Sequence, residues 1–174
     1  MGKILKIGIP VAFQDGLIQI AFIVITIIAN QRGLNDAAAV GIVEKVISFL
    51  FLVPSSMLST VSALGAQNIG AGKPGRAVQT LRYAIMLAAG FGVLATVTVQ
   101  FIAEPIVALF TDSSTANGAE VVRFGGQYLR GYIFDCIFAG IHFSFSGFFC
   151  AYGLSGISFL HNIVSLVCAR LPLA

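Results

Sequence analysis

Long apolar stretches alternate with short polar turns along the whole chain. Each stretch approaches or exceeds the ~20 residues that an α-helix needs to span the ~30 Å hydrocarbon core of a bilayer. The intervening turns carry glycine, proline, asparagine and serine, the residue types that break regular structure. The pattern predicts an all-α, polytopic transmembrane bundle in a single domain over residues 1–174. Its five expected spanning helices cover about 10–29, 40–66, 82–102, 126–151 and 157–174.

Prolines and the chain ends refine this pattern. Pro10 opens the first segment, where a helix tolerates it, whereas Pro54 inside the second segment predicts a kink. The N-terminal apolar run reaches Ala29 and exceeds the ~7–15 residues of a signal-peptide core, so we interpret it as a first transmembrane helix. Leu173 and Ala174 end the fifth segment abruptly, which predicts a truncated chain.

The composition favours lipid over water as the surrounding medium. Hydrophobic residues make up 57% of the chain and charged residues 10%, against about 25% charged in soluble domains. The basic residues are scattered singly, without the Lys/Arg face that nucleic-acid binding requires. Three cysteines without regular spacing argue against a disulfide framework or a zinc site. We therefore expect a protein of the plasma (inner) membrane, with no nucleic-acid partner, metal or cofactor.

Loop charge leaves the orientation open. With the N-terminus inside, five basic residues fall on each side of the membrane, so the positive-inside rule gives a tie. The inner set would be Lys3, Lys6, Lys73, Arg76 and Arg82, and the outer set Arg32, Lys45, Arg123, Arg130 and Arg170.

Acidic residues inside apolar segments are candidate functional groups. An ionised carboxylate at mid-membrane costs about 2.5–3.5 kcal/mol, so such residues indicate partners, wet cavities or ion paths. Asp15 lies early in the first segment, with Gln19 one turn further on the same face. Asp15 either bonds a neighbouring helix at the interface or binds a cation or substrate. Glu44 is so close to its helix start that a solvated, interfacial carboxylate is favoured.

The fourth segment carries two titratable residues on one helical face. Asp135, Ala139, His142 and Ser146 follow at helical spacing. Asp135 and His142 are about 10 Å apart along the axis, too far for a direct bond. They either face a common polar cavity, as a proton-coupled exporter needs, or make two separate interhelical hydrogen bonds.

Two further polar stripes are expected to serve packing. One comprises Ser48, Ser55, Ser59 and Ser62 in the second segment, and the other Ser158, His161, Asn162 and Ser165 in the fifth. Small polar side chains let membrane helices approach closely and bond to one another. Polar stripes on four helices predict a bundle that encloses a wet interior.

The sequence matches none of the enzyme motifs with which we compared it. The stretch Gly70-Ala71-Gly72-Lys73-Pro74 has Gln67 and Pro74 where a P-loop needs glycine and Ser or Thr. Asp15 and Asp135 lack the glycine-rich context of an intramembrane aspartyl protease, and neither a nucleophile elbow nor a zinc-protease motif occurs. We expect no enzymatic activity, and ion-driven rather than ATP-driven transport.

A family resemblance rests on the connection between the second and third segments. The stretch Gln67-Asn68-Ile69-Gly70-Ala71-Gly72-Lys73, followed by Pro74-Gly75-Arg76-Ala77, resembles the Q-N-x-G-A-G-K motif of the multidrug and toxic compound extrusion (MATE) family. Three less specific stretches agree with it: Gly8-Ile9-Pro10, Phe145-Ser146-Gly147-Phe148-Phe149 and Ala169-Arg170-Leu171-Pro172-Leu173. The resemblance covers nearly the whole chain.

The resemblance implies a transporter of two six-helix lobes that exports cationic amphiphiles in exchange for H⁺ or Na⁺. The five segments would correspond to helices seven to eleven, the second lobe less one helix, with Met1 and the Lys73 turn in the cytoplasm. Asp15, Gln19, Asp135 and His142 would line the substrate or cation site. Gln67 and Asn68 would cap the cytoplasmic end of the second helix, within a structural motif that also includes Gly70, Gly72 and Lys73. The missing N-terminal lobe would be the partner.

Departures from the family pattern leave the coupling ion open. Ile18 and Gln19 stand near the expected glutamate of helix seven, and Asp135 precedes the expected acid of helix ten. Two other hypotheses remain: a half-size protein that oligomerises as a channel or carrier, and a non-functional truncated remnant. An odd number of helices places the termini on opposite sides, which favours a partial chain over a dimer.

Overall fold

The computed structural model describes residues 33–111 and 114–165, together with individual residues between 9 and 31 that are all helical. Over the continuous ranges it forms six helices and no strand. They are α1 (Leu34–Leu50), α2 (Leu52–Gly70), α3 (Pro74–Ala108), α4 (Ala116–Tyr132), α5 (Asp135–Ala151) and α6 (Ser155–Ser165). Residues 166–174, the last part of the predicted segment 157–174, lie outside the described residues.

The second predicted segment is a long rod made of α1 and α2. The two helices meet at Phe51, and together they run from Leu34 to Gly70. Pro54 lies in the first turn of α2, where its missing N–H has no intrahelical partner to lose. The helical pattern is interrupted at Phe51, three residues before Pro54, and a kink at Pro54 stays a prediction.

Helix α3 is longer at both ends than the predicted 82–102. Pro74 is its first residue, a position that suits the fixed φ of proline. Pro105 lies inside the helix, but so near the end that it removes a single hydrogen bond. With 35 residues, α3 is about 52 Å long, so its polar ends extend past the hydrocarbon core.

The single helix predicted for 126–151 is instead two helices. Helix α4 begins ten residues earlier, at Ala116, where the Thr115 hydroxyl accepts a hydrogen bond from the N–H of Gly118 at 3.1 Å. A 42° bend separates α4 from α5. At the bend the N–H groups of Cys136 and Ile137 bond three residues back, to Ile133 and Phe134, which tightens the turn.

Rod length and hydropathy identify a transmembrane bundle. The α1–α2 rod and α3 are each long and apolar enough to cross a membrane, and α4 with α5 meets the same criteria as one bent span. Bulky apolar side chains cover the outside of α3, including Met86, Leu94 and Phe101. The protein is a helical membrane protein.

Glycines and alanines allow α5 to pack tightly on α2 and α3. A Cβ on Gly147 would lie 2.5 Å from the carbonyl oxygen of Leu58, and one on Gly140 would lie 2.7 Å from Cβ of Ala88. The predicted serine packing stripe behaves differently. Ser48, Ser55 and Ser59 are exposed and donate to carbonyls of their own rod at 2.7–3.2 Å. Close packing of α5 on α2 and α3 therefore depends on the glycine face.

Candidate ion and substrate site

A polar network joins α5 to α6 inside the apolar bundle. The amide Nδ2 of Asn162 donates to the hydroxyl of Ser146 at 2.9 Å and to the carbonyl of Ser158 at 2.7 Å. The amide Oδ1 of Asn162 is hydrogen-bonded to Nε2 of His142. Asn162, Ser146 and Ser158 are all buried. The sequence assigned these residues to two separate stripes, and the fold brings the stripes together.

His142 also stacks on His161. The ring centroids are 4.4 Å apart and the ring planes differ by 18°. Phe149 meets the His161 ring edge-on at 6.1 Å. Nδ1 of His161 is buried and has no hydrogen-bond partner among the described residues. The chain's two histidines thus form one half-buried pair at the contact between α5 and α6.

Asp135 lies at the bend, as the first residue of α5. A carboxylate in this first turn is stabilised by the positive end of the helix dipole. The Asp135 side chain is half-buried and is not free of interactions with neighbouring groups. Asp135 lies two turns before His142 on α5. The carboxylate and the His142–Asn162–Ser146 network are therefore two separate polar sites on the same helix.

A described residue of the first predicted helix contacts α1. Thr26 donates its hydroxyl to Oε1 of Glu44 at 2.9 Å, which joins this region to α1. Gln19 is helical and exposed. Asp15 lies outside the described residues, so a cavity shared by Asp15 and Asp135 stays a prediction.

The Gln67–Lys73 motif forms the turn between α2 and α3. Gly72 has a φ of +70°, a conformation that residues with a Cβ adopt only with strain. This allows the N–H of Lys73 to reach the carbonyl of Asn68 at 2.8 Å, and the N–H of Ala71 to reach that of Gln67 at 3.0 Å. Main-chain carbonyls of the motif residues thus close the helix end, while the Asn68 amide bonds back to Leu64 at 2.7 Å.

Sequence reasoning missed an ion pair between α3 and α4. Arg130 Nη1 lies 3.1 Å from Oε1 of Glu104. Arg130 Nε donates to the Gln100 carbonyl at 3.2 Å, and Gln100 Nε2 donates to the Arg130 carbonyl at 3.1 Å. Glu104 lies two residues beyond the predicted end of the third segment, at 102, and the sequence analysis did not single it out. Arg130 fell inside the predicted segment 126–151 and was counted only as a basic residue of the outer side; it lies within α4.

A second feature absent from the sequence analysis is a polar groove where α1 and α4 begin. Asn35 donates its amide to Glu120 at 2.6 Å. Asp36 and Asn117 complete the polar lining beside Gly33 and Leu34. The groove is acidic, and it lies at the bundle end opposite the Lys73 turn.

Comparison with known proteins identifies the family. The MatE family description matches residues 10–174. The chain is 28% identical over 174 residues to an FAD transporter of Shewanella oneidensis, covering 99% of this chain and 37% of that protein. It is 26% identical over 169 residues to the probable multidrug resistance protein YpnP of Bacillus subtilis, covering 97% of this chain and 37% of that protein. No solved structure matches.

The chain spans little more than a third of the length of these relatives. A third relative, the probable multidrug resistance protein YoeA of Bacillus subtilis, is 29% identical over 107 residues, covering 62% of this chain and 23% of that protein. The match from Pro10 to the last residue, on an apolar helical bundle, means that the chain belongs to the MatE family of membrane transporters, which are not enzymes.

Proposed function

We propose that this chain is the second, C-terminal lobe of a two-lobe exporter of the inner membrane, which expels organic cations in exchange for H⁺ or Na⁺. The observation that carries the proposal is the polar network of His142, Asn162 and Ser146 inside an apolar bundle. Polar and titratable groups are unfavourable in lipid. Their presence on α5, together with Asp135, supports an ion path rather than an anchor.

Two kinds of outer surface support a wet cleft on one side of the lobe. The exposed face of α3 carries Met86, Leu94 and Phe101 and suits lipid. The exposed face of the α1–α2 rod includes Ser48, Ser55 and Ser59. The same face also exposes Phe49 and Leu52. We infer that this mixed face of hydroxyl and apolar side chains borders the cleft shared with the N-terminal lobe, where an amphiphilic substrate could pass.

The acidic groove supports a cationic substrate. Asp36 and Glu120 place negative charge at one end of the bundle, which raises the local concentration of cations. The relative from Shewanella is an FAD transporter, so export of an anionic dinucleotide is the second candidate. The negative charge of the groove favours the organic cation as substrate.

Drug accumulation tests this function directly. The complete transporter containing this lobe is expressed in cells that lack their own exporters, and retention of ethidium and of FAD is measured. We expect ethidium retention to fall at least about five-fold, and Asp135→Asn to abolish the effect. The control is Thr98→Val, on the exposed face of α3, where the hydroxyl bonds only within its own helix at 2.8 Å.

The outcomes separate the parts of the proposal. Efflux that survives Asp135→Asn removes that residue from the site. Export of FAD alone replaces the cation with the anion as substrate. Unchanged retention of both compounds rejects the exporter assignment.

A further inference from the structure

The two histidines of the chain are brought into ring contact by the packing of α5 on α6. They are 19 residues apart in sequence, yet their ring centroids are 4.4 Å apart and nearly parallel. The position of the pair along the bundle axis follows from Gly140, which lies two residues before His142 and packs on Ala88 of α3. Ala88 is about 21 Å from the start of that helix. The pair therefore lies well inside the bundle.

Hydrogen bonds define the protonation of His142 at one nitrogen. The Ser158 carbonyl can only accept, so the Asn162 atom that faces it at 2.7 Å is the amide nitrogen. The other amide atom, Oδ1, then faces His142 and can only accept. Nε2 of His142 must donate, both in the neutral ring and in the charged ring. The link between α5 and α6 therefore survives when Nδ1 of His142 gains a proton.

His161 is not held in one state by a hydrogen bond at Nδ1. That nitrogen is buried without a partner among the described residues, so the neutral ring already bears an unsatisfied polar atom. One charged ring stacked on one neutral ring is favourable, as in other cation–π contacts. Two charged rings at this separation repel each other strongly away from water.

We propose that His142 and His161 together bind a single proton, and that this proton is the coupling ion of the transporter. This rests on the exchange mechanism proposed above, and it selects H⁺ over Na⁺. Imidazolium rings offer N–H donors and no acceptor, so the charged pair repels Na⁺. Oδ1 of Asn162 stabilises the charged form of His142 through a charge-assisted bond.

On the described helices around the pair, the other titratable groups lie on α5 and α3. Helix α2 contributes no ionisable side chain, and within the described part of α6 His161 is the one titratable residue. Helix α5 contributes an acid two turns away and two buried thiols, and α3 contributes groups near its ends or on its exposed face. These groups are Asp135, Cys136, Cys150, Arg76, Arg82, Tyr83 and Glu104.

Histidine NMR tests the proton site without any transport assay. Because the chain has two histidines, labelling with ¹³C,¹⁵N-histidine in lipid nanodiscs yields two ring systems. We expect a ring-to-ring contact at neutral pH, and uptake of one proton shared by both rings. Because two charged rings at this separation repel each other, we expect no spectrum in which both rings are charged while the protein stays folded. His161→Gln should remove the second ring system and leave a single proton site at His142.

Two NMR results would overturn the proposal. Independent titration of both rings at the same pH would show that they do not act as one site. Absence of the ring-to-ring contact would contradict the geometry from which the site is inferred.

Transport separates this inference from the exporter function. In proteoliposomes of the complete transporter, His142→Gln keeps a donor to Asn162 but cannot be protonated. We expect it to lower H⁺-driven ethidium transport at least about ten-fold. Undiminished H⁺-driven transport in that variant, or transport driven by Na⁺ alone, would overturn the coupling role while leaving the exporter intact. One shared proton by NMR without any transport would instead reject the exporter.

Discussion

Arg130 of α4 and Glu104 of α3 form an ion pair of 3.1 Å at a position where α4 has no side chain in the way. A Cβ on Gly126, one turn before Arg130, would lie 2.6 Å from Cγ of Glu104. The glycine thus makes room for the glutamate. Reciprocal bonds between Gln100 and Arg130 hold the two helices in the same register.

A double-mutant cycle on this pair should reveal an attractive coupling. Both side chains are partly exposed, so we expect about 1 kcal/mol between Glu104→Gln and Arg130→Gln. Thermal unfolding in nanodiscs measures it, with Arg82→Gln on the exposed face of α3 as the control. Additive effects of the two substitutions would show that the pair does not stabilise the α3–α4 contact.

Gly147→Ala should destabilise the contact between α2 and α5. The new Cβ would meet the Leu58 carbonyl oxygen at 2.5 Å, and overpacking of this kind costs about 1–3 kcal/mol. The unfolding temperature should fall by several degrees. The matched control is Gly90→Ala in α3, where a Cβ meets nothing within 4 Å and the higher helix propensity of alanine should help. Equal effects of the two substitutions would refute the close α2–α5 packing.

Gly72→Ala should strain the turn between α2 and α3. At a φ of +70° the added Cβ costs about 1–2 kcal/mol, whereas Gly72→Asn should be milder because asparagine tolerates this conformation. The comparison is Gly75→Ala, inside α3 with nothing within 4 Å of the new Cβ. Denaturant titration measures the change in the free energy of unfolding for both substitutions. A neutral Gly72→Ala would mean that this turn does not adopt the positive φ.

Asn162→Leu should weaken the α5–α6 contact, since it leaves the His142 donor and the Ser146 hydroxyl without their partner. Interhelical hydrogen bonds in membranes contribute about 0.6–2 kcal/mol, so a loss near 1 kcal/mol is expected. Val164→Leu on the exposed side of α6 is the control. A leucine at 162 that leaves stability unchanged would argue that the network does not hold α6 in place.

The sequence revealed which segments are helical more clearly than where they begin or end. Apolar length alone identifies the α1–α2 rod and α3, because lipid requires continuous apolar helices. The same criterion makes the predicted α3 too short at both ends. Arg82 and the Glu104–Pro105 pair resemble helix boundaries, but the helix continues past them into the polar interface. The bend at Ile133 has no proline beside it, and Gly131, two residues earlier, lies within α4, so the sequence predicted one helix there.

Candidate site residues were found by type, but their partners were not. Helical spacing placed His142 with Ser146 on one face, and Asn162 with His161 on another, because periodicity reports a single helix. Which face meets which depends on how α5 and α6 cross, and a single helix pattern contains no such information. The same limit hid the Glu104–Arg130 pair, whose members lie on different helices.

Ion-coupled exchange of an organic cation is the central claim, and substrate-dependent counter-flow tests it most directly. Proteoliposomes containing the complete transporter are loaded with either acid or Na⁺, and ethidium uptake is followed while the internal pH is recorded with a trapped dye. The account predicts uptake driven by the acid load, matched by loss of internal protons, and reduced at least about ten-fold by Asp135→Asn. Ethidium uptake that is indifferent to both the proton and the sodium gradient would contradict the account.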